Sequence, residues 1–175
     1  LLPDRDRAAV DDAFTTARRR VDEAGSADIE ARLLSTYLAQ VLFYEHAPEA
    51  AAMVERLAEI DADLGDADAM LHAVHDRFLH AMVVGDVAHQ EALLARLDEL
   101  QQQVHSGFWT FIHANEAAMF AFYRGDLAEA EAAAERCRAL AASLTGEEGD
   151  GTFGLRMFLI RREQDRLGPM LPLVR

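Results

Sequence analysis

Four side chains with ligand chemistry crowd one short run: His72, His75, Asp76 and His80 lie at i, i+3, i+4 and i+8. On a helix that spacing puts them on one face. Imidazole and carboxylate are ligands that divalent transition metals take. The run lacks the His-Glu-x-x-His form, however, and a stable site needs ligands held by outer partners. It reads as polar surface or groove lining, and neither metal nor cofactor is expected. Other catalytic patterns fail on chemistry. A phosphate-cradling Gly-x-x-x-x-Gly-Lys loop is excluded because all 17 basic residues are arginine. Glycines 146, 149 and 151 stand among Glu147, Glu148 and Asp150, which would repel phosphate. No Gly-x-Ser-x-Gly turn is present. The single Cys137 falls on the packed side of a helix and reads as core. Trp109, with Phe108 and Phe111, is either an aromatic ligand platform or a packing cluster, and packing is favoured. No catalytic residue is assigned, and the chain is not expected to be an enzyme.

The elements that position these residues repeat. Gly125-Asp126 offers a left-handed glycine to close one helix and an aspartate to cap the next, with Glu129 completing a capping-box-like pattern. Gly85-Asp86 is the same device forty residues earlier. In that register Ala81 pairs with Ala121, Glu91 with Glu131, Arg96 with Arg136 and Leu100 with Leu140. The Gly65-Asp66 step reads as a further copy. Apolar residues at helical spacing fill the segments between, and no stretch alternates as a strand would. The predicted helices run about 4–24, 28–44, to about 63 after a turn at 46–49, 68–84, 87–104, from Phe108, 127–144 and 152–164. A loop is expected over 145–151, and an incomplete ninth helix after Gly168.

The predicted fold is therefore all-α: a right-handed α-solenoid of about four stacked antiparallel helix pairs, with a period of about 40 residues. One helical-repeat domain spans 1–175, with repeats at roughly 1–25 (partial), 26–64, 65–105, 106–145 and 146–175 (partial). The chain lacks an initial Met and ends on what reads as the start of a helix, so it is expected to be a fragment of a longer protein.

Register also singles out polar positions. One recurs at Ser35, His75, Asn115 and Leu155, the next at Thr36, Asp76, Glu116 and Arg156, and another at Arg32, His72, Ile112 and Thr152. Polar groups inside amphipathic helices must face water or find partners, because burial unpaired costs on the order of 1–3 kcal/mol. Arg32, Ser35, Thr36, His72, His75, Asp76, Asn115, Glu116 and Arg156 are the candidate groove residues. With helices roughly 8–10 Å apart, four rungs span roughly 30 Å. That length suits a peptide, a protein or another domain of the same parent. A merely solvated concave face remains the alternative.

The alternating helices, the Gly-Asp turns and small residues such as Ala130 resemble tetratricopeptide-type repeats. The segments from Gly107-Phe108-Trp109 through Phe122–Glu131 to Gly151–Leu167 resemble the helical-repeat region of large actinobacterial regulators of the LuxR-type and cyclase-fused kinds. The resemblance implies a non-catalytic interaction, sensor or scaffold segment of a signal-responsive transcriptional regulator, with ATPase, cyclase or DNA-binding chemistry elsewhere in the parent. An effector-binding domain of a cyclase-type protein, for a small molecule or peptide, and an enzyme with an unrecognised site are the alternatives. The formal charge of −14 argues against direct nucleic-acid binding. No apolar run approaches the roughly 20 residues of a membrane span, and no signal-peptide pattern opens the chain. A cytoplasmic location is expected.

Overall fold

Among the described residues, three of the five left-handed residues of the backbone fall in one 40-residue register, and the other two in a second. In the computed structural model, which describes residues 4–42, 48–144 and 148–168, positive φ occurs at Gly25, Gly85, His105, Gly125 and Asp165. Positions 85, 125 and 165 are successive turns of one kind, each forty residues apart. At all three the next amide reaches back to close the helix: Asp86 N to Ala81 O at 2.9 Å, Asp126 N to Ala121 O at 2.9 Å and Arg166 N to Arg161 O at 2.8 Å. Gly125 has φ 78° and open space around a would-be Cβ, so the backbone conformation alone demands glycine there.

The following helices are capped in the same two registers, by serine in one and aspartate in the other. Ser26 Oγ accepts from Ile29 N, and Ser106 Oγ accepts from Trp109 N at 3.4 Å. Asp86 Oδ1 accepts from His89 N at 3.0 Å, and Asp126 Oδ1 from Glu129 N at 3.1 Å. The capping box is half made. Asp126 N is already bound to Ala121 O, and Glu129 turns to Arg136 instead, with Nη2 donating to Oε1 at 2.6 Å.

Among the described residues eight α-helices result: α1 Asp4–Ala24, α2 Ala27–Val41, α3 Pro48–Ile60, α4 Ala67–Val84, α5 Val87–Val104, α6 Gly107–Tyr123, α7 Leu127–Leu144 and α8 Glu148–Glu163. Among the described residues there is no strand. The structure departs from the sequence reading at three places. Gly65 does not take positive φ. A 3-10 turn at Asp61–Asp63 and an extended Leu64 end α3, and Asp28 Oδ1 holds Gly65 N and Asp66 N at 3.0 and 3.1 Å. Gly107 opens α6, since Ser106 supplies the cap and leaves glycine inside the first turn. The stretch 148–151, expected as loop, is the first turn of α8. The expected end of α2 at Tyr44, the start of the turn at 46–47, the loop start at 145–147 and the ninth helix lie outside the described residues.

The chain divides into two compact units, residues 1–100 and 101–175. In the first, α2 packs on α1, α3 and α4, and α4 packs on α3 as well. Leu34, Leu38, Leu57, Ile60, Ala69 and Ala73 make its interior. Alanines at the α2–α4 contact let the helices approach while leucines fill between them. In the second unit α7 packs between α6 and α8. Ala118 and Ala121 of α6 meet Ala130, Ala133 and Ala134 of α7, with Met157 and Ile160 of α8 completing the core. Cys137 is buried as a core residue.

Candidate functional site

The nine candidate groove residues sit in two clusters, one in each unit, and burial sorts them. Arg32 and Thr36 are exposed on α2, while Ser35 between them is buried. Arg32 Nη2 bonds Asp66, and Nη1 lies 3.1 Å from Asp68 Oδ2. The Arg32 guanidinium holds the Asp66 carboxyl below its usual range. His72 Nε2 is 3.8 Å from the same Asp68 carboxylate. Burial pushes the His72 imidazole down, against the pull of Asp68. Thr36 Oγ1 donates to Arg32 O of its own helix at 2.7 Å. Arg32, His72, Asp66 and Asp68 thus form one exposed ionic patch across α2 and the start of α4.

Beneath that patch lies a different chemistry. Asp76 is 5% exposed and Ser35 7%. The Ser35 hydroxyl is close enough to favour the ionised carboxylate, yet neither Ser35 Oγ nor Asp76 Oδ2 completes a hydrogen bond of normal geometry. Burial dominates and pushes the Asp76 carboxyl up to about 6, with Ser35 and His75 pulling the other way. A buried carboxylate with an oxygen left unsatisfied is costly, so Asp76 is the anomalous residue of this unit. Half-buried His75 adjoins it on α4.

In the second unit the matching rung joins α6 to α8. Arg156 Nη2 bonds Asn115 Oδ1, and Nη1 points at Cys137 Sγ at 3.7 Å. Asn115 Nδ2 in turn points at Met119 Sδ, 3.6 Å away. Burial lowers the Arg156 pKa and raises that of Cys137. Glu116 is fully buried. Ile112 is half-buried and Leu155 exposed. The side chain of Thr152 lies outside the described residues.

Ser35 to Asp76 and Asn115 to Arg156 are both steps of 41 residues. The sequence placed these residues on neighbouring rungs, and the structure brings each pair together. It also buries Ser35, Asp76 and Glu116, which therefore do not line open surface. Among the described residues no three His, Cys, Asp or Glu side chains gather as a metal would require. Trp109, 2% exposed, is packed, while Phe108 is 52% exposed.

Sequence reasoning missed two polar clusters. Buried Glu30 of α2 accepts from Arg56 Nε and Nη2 at 2.8 and 3.0 Å and from Arg18 Nη2 at 2.8 Å. These bonds hold its carboxyl below the usual range. Arg56 also pairs with Glu59 of its own helix at 2.9 Å, so it anchors α3 to α2 while keeping a local partner. Tyr37 donates to Asp11 Oδ1 at 2.5 Å and stacks on Phe14 at 4.1 Å. The partners lie 12 to 26 residues away, and no local pattern announces them.

No protein-family model, curated protein or solved structure matches this chain.

Proposed function

We propose that this chain is a non-catalytic interaction, sensor or scaffold segment of a larger signal-responsive transcriptional regulator, its helix pairs forming successive layers of a right-handed solenoid. The observation that carries the reading is the repeated 41-residue step linking Ser35 with Asp76 and Asn115 with Arg156. A bundle built only for stability has no use for a polar rung at the same place in two repeats. Helical repeats that present such rungs on one helix of each pair recognise extended peptides or neighbouring domains. The exposed patch of Arg32, His72, Asp66 and Asp68 supplies both charges for orienting such a partner, which favours specificity over raw affinity.

The test is the full-length protein carrying His75→Ala and Asn115→Ala together. The far-ultraviolet helical signal is expected to persist, while the transcriptional response and the association with the parent's other domains weaken. A double variant that responds and associates normally refutes the reading. A second reading, binding of a small effector, is favoured by one specific observation: the apolar groove beside Arg156.

A further inference from the structure

Arg156 is the cation of this acidic chain whose setting calls for a ligand. It is half-buried, and its polar partners are a neutral amide oxygen, Asn115 Oδ1, and the sulfur of Cys137. No carboxylate lies within ion-pair distance of it among the described residues. A guanidinium carries five N–H donors in a rigid fork, and these two partners leave donors over. The same residue lines a groove of ≈ 220 Å³ between α6 and α8, whose other walls include Met119, Phe122, Tyr123, Leu159 and Ile160. Tyr123 is 61% exposed and Leu155, also lining the groove, 63%. The groove thus opens on a rim of large apolar side chains, which ordinarily cover themselves.

An apolar cleft with one uncompensated cation in its wall selects a molecule with the reverse arrangement. We propose that the groove between α6 and α8 binds a small carboxylic acid with an apolar body, its carboxylate paired with Arg156 and its hydrocarbon part against Met119, Phe122 and Leu159. Size limits the class. The volume lies below the roughly 300–1,000 Å³ of pockets for drug-sized ligands, so the occupant is a short alkyl or aryl acid. Charge sets the head group: a bidentate carboxylate is what the guanidinium fork fits. A cationic or purely hydrocarbon ligand would leave Arg156 buried without a counter-charge. Met119 links the two halves of the site, since its sulfur is held by Asn115, the residue that also holds Arg156. The inference rests on the sensor form of the function proposed above.

The experiment uses the whole chain and two probes of one length, octanoate and octanol, followed by titration calorimetry and by methyl resonances of Met119 and Leu159. Octanoate is expected to bind saturably and to shift both methyl groups, with octanol about tenfold or more weaker, the discrimination a charge-assisted bond supplies. Arg156→Met keeps an unbranched apolar stem and removes the charge; it should erase the preference for octanoate while leaving octanol binding in place. Should that variant not fold, the salt dependence of wild-type binding replaces it, falling for octanoate and flat for octanol. Equal affinity for the two probes, a preference that survives in Arg156→Met or in high salt, or no saturable octanoate binding each overturns the proposal. The two readings fail separately. A chain that ignores octanoate while the His75 and Asn115 double variant still loses its response refutes the groove alone. Octanoate binding with a fully responsive double variant supports the groove and refutes the interaction reading.

Discussion

Replacing Asp76 by asparagine should stabilise the protein at neutral pH and not at acid pH. Asp76 is 5% exposed, and burial pushes its carboxyl up to about 6 in the folded chain, from an ordinary value of 3.8. Its folded pKa is raised, so the folded state holds a proton that the unfolded chain has lost between those two values. By linkage, stability then falls as pH rises through that window and is lowest above it. A rise of about two pK units corresponds to about 3 kcal/mol of destabilisation at pH 7 at most. Asparagine keeps the shape and carries no charge, so it removes this penalty. Well below pH 3.8 aspartate is neutral in both states and the advantage should vanish, most of it being gone already at pH 4.

The measurement is urea unfolding followed by helical circular dichroism, at steps from pH 4 to 7.5, for wild type and Asp76→Asn. The difference between the two curves is the quantity to read. Half-buried His72 and His80, whose pKa values are lowered, act in the opposite direction, costing stability as they protonate on acidification. Their contribution is common to both proteins and cancels in the difference. The expected gain for Asp76→Asn at pH 7.5 is about 1–3 kcal/mol, shrinking toward zero near pH 4. Ser35→Ala should move the midpoint of this change upward, since the hydroxyl favours the carboxylate. A difference that does not vary with pH would refute the reasoning. So would an asparagine variant that is less stable at pH 7.5, because Asp76 would then be a satisfied carboxylate.

Other substitutions probe the frame around it. Gly125→Val should cost more than ~1 kcal/mol in urea unfolding, because a β-branched residue resists the φ of 78° found there, whereas Gly65→Ala, with ordinary φ and its nearest neighbour at 3.7 Å, should stay within ~0.5 kcal/mol. Equal effects would mean the two turns are alike. Glu30→Ala leaves Arg18 and Arg56 without their shared acceptor and should cost about 1–2 kcal/mol above pH 5. Glu30 has a lowered folded pKa, so its contribution in the wild type should fade as pH drops below about 4.5, and a loss independent of pH would contradict the ion cluster. Ser106→Ala should cost ~1 kcal/mol through the lost cap on Trp109 N, and unchanged stability would show that water replaces the hydroxyl.

Helices and turns were legible because their determinants are local. Gly85 and Gly125 are read from a few neighbours, and the capping aspartates after them need only the next three residues. Where the reading slipped, a distant group had taken over a local role. Gly65 looks like Gly85 in the sequence, but Asp28, 37 residues earlier, holds its amide and removes the need for a left-handed turn. The site was legible as a register and illegible as an environment. Periodicity reports which face of a helix a residue occupies, not what packs on that face. Ser35 and Asp76 therefore read as groove lining although the first unit buries them.

Asp76 and Arg156 are two periods apart, with opposite charges at equivalent positions. Each is reached from the preceding rung by a 41-residue step, and neither has an opposite charge within ion-pair distance among the described residues. Stability alone does not account for this. Apolar side chains of similar volume at such sites are commonly neutral or stabilising, while a buried charge without its counterpart is a cost. A helix pair needs only leucine or alanine there, as Leu34, Ala73 and Ala118 supply at neighbouring core positions. The repeat has thus kept a geometry, one polar side chain crossing to the next repeat, while reversing the charge it carries. Removing the charge of Asp76 should therefore raise stability at neutral pH, as Asp76→Asn tests, and removing that of Arg156 should alter what the groove takes, as Arg156→Met tests.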